Sequence, residues 1–362
     1  MTQTGRVRIA IVGTTASGKS ALGERIALEL HNRGRAAEIV SADSMCVYRG
    51  MDVGTAKPTK AEQERWPTHG IDLVDPNQEF SVAEFQRYAM AVLADIEGRG
   101  AIAILVGGTG LYVDAVVNNL TMPPQFPEIK RLLIDELASG IPIEKLYARL
   151  VEVDPDAAAK MEPNNERRII RALEVCVGSG RRFSSFGPGL VAAASGAGVA
   201  LTSGVPGVPG APGLASPGWL LCGPTWARPE LRQRIAQRFL RQLVDGFVEE
   251  AAMLLETYGE ARSKTARQAL GYRELWEHLG GDCSLPEAID RAILRTGQFA
   301  VRQERWFRRD PRIHWIQGET LEPTGFEQVS GVDSTSATEA SGCAEVSQIV
   351  NLALTQEVVR HD

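Results

Sequence analysis

Hydrophobic positions in the first third of the chain alternate between two forms. Short, largely apolar runs at 7 to 12, 37 to 42 and 101 to 106 read as strands buried in a sheet, and helical repeats at 19 to 31, 81 to 98 and 109 to 117 follow them. Strand and helix in alternation predict an α/β fold, a parallel sheet with helices on both faces. From Met122 to about Arg182 amphipathic periods in Ile129 to Leu137, Ile143 to Leu150 and Asn165 to Val177 predict a helical insert. Residues 186 to 217 are almost wholly Gly, Ala, Pro, Ser and Val, a composition that cannot bury enough surface to offset the entropy of ordering, so a disordered loop is expected there. A strand at 219 to 225, helices over 229 to 257 and 264 to 279, and a long helix over 285 to 308 follow, and from Gly318 the polar, acidic chain is expected as a flexible tail. The predicted organisation is a core of 1–118 with 219–317, a helical insert at 119–185, a Gly/Pro/Ala-rich loop at 186–218 and a tail at 318–362.

A chain of 362 residues, 44% hydrophobic and 23% charged, can bury a large core. No apolar run approaches the ~20 residues of a membrane helix, and Met1 to Arg6 leads into the first strand without a signal-peptide apolar region, so a cytoplasmic location without membrane contact is expected. The cysteines, Cys46, Cys176, Cys222, Cys283 and Cys343, are odd in number and contain no Cys-x-x-Cys pair, which predicts free thiols. The net charge of −6 conceals an asymmetry: between Arg228 and Arg312, 16 Lys and Arg face 13 Asp and Glu, leaving that segment +3 and the remainder −9. Basic charge is concentrated where a polyanion can dock.

The most specific chemistry lies in Gly13-Thr14-Thr15-Ala16-Ser17-Gly18-Lys19-Ser20, between the first strand and the first helix. Glycines allow the tight turn that aims successive N–H groups at phosphate oxygens, the helix adds its positive end, Lys19 supplies a cation, and the Ser20 hydroxyl can hold Mg²⁺. Asp43 and Ser44 end the second strand at the sheet edge where ligands of open α/β sheets bind. Its place alone leaves Asp43 three readings: a metal-organising residue, a general base or a cap for the next turn. Gly107-Gly108-Thr109-Gly110 reaches the same edge, with Thr109 as a hydroxyl or a helix cap.

The ordered set Gly13 to Ser20, Ser41-Ala-Asp43-Ser44 with Tyr48-Arg-Gly-Met51-Asp52-Val-Gly54-Thr55-Ala56-Lys57-Pro58, Gly70-Ile-Asp72, Leu105 to Tyr112, Arg171-Ala-Leu-Glu-Val175, Leu270-Gly271-Tyr272-Arg273 and Arg302-Gln303-x-x-Trp306 resembles the tRNA dimethylallyltransferases, as far as about residue 315. The resemblance implies transfer of a dimethylallyl group from dimethylallyl diphosphate to N6 of the adenine at position 37, beside the anticodon, in tRNAs reading codons that begin with U. The phosphate loop then holds a diphosphate leaving group, with Mg²⁺ on Ser20, rather than ATP. On this reading Asp43 is the base that accepts the N6 proton, Thr109 stands beside amine and diphosphate, Lys19 stabilises the leaving group and Arg228 clamps it. Arg228 as plain surface charge is the alternative.

The implied partner is a tRNA anticodon stem-loop, whose target adenine must leave its stack to enter a buried site. Segments matching the family's RNA contacts are Asp43, Ser44, Met45 and Cys46; Lys57 and Thr109; Arg167, Arg168 and Arg171 on the insert; Arg267, Gly271, Tyr272 and Arg273; and Arg302, Gln303, Arg305 and Arg308 on the long C-terminal helix. Trp306 and Phe307 are assigned to packing. The chain departs from the family pattern at Thr14, where proline is usual, in the long loop after 186, and in lacking the zinc finger of eukaryotic relatives. Rival readings are an enzyme prenylating free adenine nucleotides, which needs neither the insert nor the basic helix; a small-molecule kinase using ATP; and a non-enzymatic RNA-binding switch, which needs no Asp43. No protein partner is required, and a monomer is expected.

Overall fold

A computed structural model describes residues 7–186, 214–216, 218–321 and 344–358. In chain order the elements are β1 (Arg8–Val12), α1 (Lys19–Asn32), β2 (Ala37–Ser41), α2 (Lys60–Arg65), β3 (Thr68–His69), α3 (Val82–Gly98), β4 (Ile102–Gly107), α4 (Gly110–Val117), α5 (Pro127–Ala138), α6 (Ile143–Val153), α7 (Pro155–Ala158), α8 (Glu166–Ser179), β5 (Leu214–Ser216), β6 (Trp219–Thr225), α9 (Arg228–Val244), α10 (Phe247–Tyr258), α11 (Tyr272–Leu279), α12 (Leu285–Phe307), β7 (His314–Gln317) and α13 (Ala344–Val358). The chain divides into two compact units, 1–113 with 201–362, and 114–200.

In the first unit the strands run β3-β2-β4-β1-β6, all parallel, with β7 parallel to the end of β6 and β5 antiparallel to its start. Side chains alternate across the pleat. Ile9, Ile11, Ile39, Ile104, Val106, Leu220 and Cys222 join one core with Leu22, Ile26 and Leu30 of α1. Ala10, Val12, Val40 and Leu105, also fully buried, face the opposite side, where α3 brings Phe85, Ala89 and Leu93 to β2 and β4. Both faces are therefore covered, as a parallel sheet requires. Every parallel strand delivers its C-terminal end to the same edge, which gathers Gly13, Asp43 and Gly108.

The C-terminal tail is not loose throughout. Val346, Ile349, Val350 and Ala353 of α13 lie in the core over α1, and Arg33 of α1 hydrogen-bonds Asn351, so the tail expectation fails over 344–358. The apolar spacing of that segment is helical and amply buried, and its acidic surroundings concealed it. Of the expected disordered loop, 187–213 lies outside the described residues, while 214–216 form a strand. No helix among the described residues is long and apolar enough to cross a membrane. Cys46, Cys176, Cys222 and Cys283 are free thiols; Cys343 lies outside the described residues.

The second unit is helical. Leu133 of α5, Leu146 and Leu150 of α6, Ala158 of α7, and Ile169, Ile170, Ala172 and Leu173 of α8 form its core. Asp154, wholly buried, joins its parts by accepting from Ala157 N at 3.1 Å and from Ser184 N and Oγ at 2.7 and 2.8 Å.

Candidate active site

The loop Gly13 to Ser20 leaves β1 and enters α1, so its N–H groups collect at the positive end of that helix. Ser17 Oγ donates to the Thr14 carbonyl at 2.8 Å, and the Lys19 ammonium donates to the same oxygen. Ala16 holds a left-handed φ of 59°, which the surroundings maintain: Arg234 Nε donates to the Ala16 carbonyl at 3.0 Å and Trp226 Nε1 to the Ser17 carbonyl at 2.9 Å. These contacts engage carbonyls, the groups that repel phosphate, and leave N–H donors for an anion. Ser20 is exposed on the first turn of α1. Among the described residues no group of three His, Cys, Asp or Glu side chains gathers to hold a metal. An ion at Ser20 would take its other ligands from substrate oxygens and water, a mode that suits Mg²⁺.

Two half-buried cations, Lys19 and Arg238, dominate the field at the loop. Burial pulls the Lys19 ammonium down to about 8, Arg238 adds to the fall, and Asp43 and Cys46 oppose it. Burial likewise lowers the Arg238 guanidinium against the pull of Asp43 and Cys46. Desolvated positive charge of this kind favours an anionic ligand. Arg238 reaches Thr15 Oγ1 at 3.4 Å and the Thr55 carbonyl at 3.1 Å. Arg228, the arginine expected at the diphosphate, instead leaves 65% of its side chain exposed and pairs with Glu304 at 3.5 Å. It opens α9, whereas Arg238 lies three and four residues from Ile235 and Gln242, which are buried with Phe239 on the inward stripe. That stripe was the available signal.

Asp43 and Thr109 come together as expected. Met45 N donates to Asp43 Oδ1 at 2.8 Å, while Thr109 Oγ1 accepts from Ser44 N at 3.1 Å and lies 3.3 Å from Ser44 Oγ. Asp43 Oδ2 makes no hydrogen bond among the described residues, so one carboxylate oxygen is open to a proton. Burial, reinforced by Asp43, pushes the Cys46 thiol up to about 12, which keeps it neutral and unreactive.

Four residues matched to RNA contact make internal hydrogen bonds. Lys57, with only 3% of its side chain exposed, donates to the Tyr48 carbonyl at 2.8 Å and to Asp72 Oδ1 at 2.7 Å and pairs with Asp52. Tyr272, 1% exposed, donates its hydroxyl to Glu250 Oε1 at 2.5 Å, and Glu250 also caps the N–H groups of Asp52, Val53 and Gly54. Burial and Glu250 raise the Tyr272 phenol well above its ordinary range. Gln303 is buried, receiving Thr15 N on Oε1 at 2.8 Å and giving Nε2 to the Gly108 carbonyl at 2.8 Å. Arg171 pairs with buried Glu174 at 2.8 Å and donates to the Pro123 carbonyl at 2.8 Å. A burial pattern cannot separate such polar anchors from ligand contacts, because both demand polar atoms at inward positions.

The other cations remain on the surface. Arg167 and Arg168 are exposed and without ion pairs among the described residues, on the first turn of α8 where the helix dipole disfavours positive charge. Arg302, Arg305 and Arg308 are exposed on α12, Arg308 pairing with Glu304 at 2.9 Å. Arg267 pairs with Glu260 at 2.9 Å and Arg273 with Glu277 at 3.0 Å, and Gly271 precedes α11. His69 bonds Glu38 at 2.7 Å on an edge strand.

The IPP transferase family model matches residues 46–310. The chain is 42% identical over 308 residues to the tRNA dimethylallyltransferase of Thermobifida fusca, covering 85% of this chain and 89% of the relative. It is 41% identical to that of Geobacter metallireducens, covering 86% and 93%. The solved tRNA isopentenylpyrophosphate transferase of Bacillus halodurans superposes with a TM-score of 0.61 at 31% identity, covering 98% of each chain. A eukaryotic dimethylallyltransferase acting on tRNA gives 0.66 at 26% identity, covering 86% of this chain and 74% of the other. With its ordered motifs, its sheet and its loop in agreement over most of its length, the chain belongs to the IPP transferase family.

Proposed function

We propose that this protein is a tRNA dimethylallyltransferase that moves the dimethylallyl group of dimethylallyl diphosphate to N6 of the adenine at position 37 of tRNAs reading codons that begin with U. The observation that carries the reading is the pairing of an anion loop, flanked by half-buried Lys19 and Arg238, with a carboxylate that has one open oxygen at the same sheet edge. A kinase can use both features, and the similarity to tRNA dimethylallyltransferases is what favours alkylation of an amine.

The allylic C–O bond breaks and its electron pair leaves with diphosphate. Loop N–H groups, Lys19 and Arg238 stabilise that charge where it grows. Ser20 would hold Mg²⁺, which would supply charge neutralisation for the leaving group. The adenine N6 is a poor nucleophile because its lone pair is delocalised into the ring. Asp43 Oδ2 orients the amine by accepting its N–H and takes the proton as the C–N bond forms. Thr109 fixes the Ser44 backbone and so aims Asp43. On the RNA side, exposed Arg167, Arg168, Arg302 and Arg305 meet phosphates, which position the stem-loop without reading bases. A tRNA substrate suits the cytoplasm.

The test supplies labelled dimethylallyl diphosphate and Mg²⁺ to an anticodon stem-loop with adenine at position 37, to the same loop with guanine, and to AMP. Label on the adenine loop alone is the expected result. Label on AMP moves the activity to free nucleotides, and unlabelled acceptors with ATP consumed instead make the protein a kinase.

A further inference from the structure

One face of α12 carries Gln303, Trp306 and Phe307 inward, and the rest of the helix exposes Arg302, Arg305 and Arg308. Gln303 spends both halves of its amide on backbone: Oε1 accepts from Thr15 N in the phosphate loop, and Nε2 donates to the Gly108 carbonyl beside Thr109. The fit is close, because a Cβ at residue 108 would lie 2.4 Å from Gln303 Nε2 and one at residue 110 would lie 2.4 Å from the Trp306 ring. A side chain at 108 would displace the Gln303 amide, and one at 110 would strike the Trp306 ring that α12 presses on the turn bearing Thr109. The loop N–H of Thr15, on a residue whose hydroxyl meets Arg238, is thus held by a side chain from the helix that offers cations to RNA.

We propose that Gln303 is a positioning residue which presets the diphosphate loop against the Thr109 turn, so that the donor loop and the base-bearing edge are held in one register by α12. The inference rests on the proposed prenyl transfer and deepens it. Gln303 touches neither substrate. Its two bonds tie the Thr15 N–H to the Gly108 carbonyl, which leaves the remaining N–H groups of the loop converging on the diphosphate before it arrives and so reduces the ordering that binding must impose. An RNA phosphate resting on Arg302 or Arg305 stiffens the same helix, so stem-loop binding favours donor binding, and by reciprocity donor binding favours the stem-loop.

The test is Gln303→Met, which keeps the unbranched shape and loses both bonds, with Gln303→Glu as a second variant that keeps the acceptor for Thr15 N and loses the donor to Gly108. Thermal melts first establish that each is folded. Binding of inorganic diphosphate with Mg²⁺ is measured by calorimetry with and without stem-loop, and steady-state constants are measured for both substrates. Loss of two ordinary hydrogen bonds corresponds to about a tenfold weakening. The expected result is a donor KM and diphosphate Kd raised about tenfold in Gln303→Met, an unchanged stem-loop KM, and loss of the stem-loop's effect on diphosphate affinity. An unchanged donor KM and diphosphate Kd, or a rise in stem-loop KM alone, would overturn the proposal, the latter by making Gln303 an RNA contact. If wild-type protein transfers no prenyl group the activity reading fails, while the diphosphate titration still judges Gln303.

Discussion

Glu250 is the anchor on which the segment 52–57 depends, and its replacement by Gln has a calculable effect. Its Oε2 accepts from Asp52 N at 2.9 Å and Val53 N at 2.8 Å, and its Oε1 accepts from Gly54 N at 3.1 Å and the Tyr272 hydroxyl at 2.5 Å. Four donors therefore converge on a group that donates nothing. In Glu250→Gln one oxygen becomes an NH₂; turned toward Oε1's partners it donates to the Tyr272 hydroxyl, which can accept, and leaves the Gly54 N–H facing another donor. Hydrogen bonds to a charged group contribute about 1.5–3 kcal/mol each, so the loss is about 1.5–3 kcal/mol, a sizeable part of the ~5–15 kcal/mol that holds a protein folded. Tyr272→Phe removes one bond and costs about 1.5–3 kcal/mol by the same measure. Urea unfolding followed by far-UV dichroism reads both. Transfer activity falls with them, because the Thr55 carbonyl that receives Arg238 belongs to the anchored segment. A Glu250→Gln variant within ~0.5 kcal/mol of wild type would refute the convergence of donors on this carboxylate.

Asp43→Asn keeps an acceptor for Met45 N and loses the base; kcat falls about 10²–10⁴-fold while stem-loop Kd, read by filter binding, is unchanged. The donor kcat/KM, which reports free enzyme, falls as pH rises through about 8, because Lys19 must carry its proton to meet diphosphate. The folded Lys19 pKa lies below its unfolded value of 10.5, so the unfolded chain binds the extra proton between those pH values and this group's contribution to stability rises with pH from about 8 to 10.5; pH–rate profiles and urea midpoints read the two signs separately. Ile349→Ala, in the buried core of α13, costs about 2–5 kcal/mol in urea unfolding, where a loose tail would show no change.

Much of this was legible in the chain because local patterns carried it. The apolar run and glycine spacing around Gly13 to Ser20, and the placement of Asp43 and Thr109 after successive strands, need only neighbouring residues to be read. What the chain alone did not show shares a cause in long-range packing. The predicted helix over 229 to 257 is two, since Asp245 ends α9 and Gly246 takes a left-handed φ of 95° before α10. Arg228 and Arg238 have the same chemistry, and only the inward face of α9 selects between them. Lys57, Tyr272 and Gln303 occupy motif positions, yet their partners lie at Asp72, Glu250 and Gly108, far enough along the chain that no periodicity announces them. Strand β3 spans two residues and exists through its pairing with β2, and the residues of α13 gain their meaning from α1.

The central claim is that the phosphate loop holds a diphosphate leaving group while Asp43 deprotonates an adenine. Wild-type and Asp43→Asn proteins incubated with dimethylallyl diphosphate, Mg²⁺, ATP and the adenine stem-loop, followed by nucleoside mass spectrometry and assays of released diphosphate and of ATP, test it directly. The account predicts N6-dimethylallyladenosine and diphosphate in equal amounts from wild type, both formed about 10²–10⁴-fold more slowly by the variant, and ATP untouched by both. Unmodified adenosine with ATP consumed by wild type, or product from the variant at the wild-type rate, would contradict it.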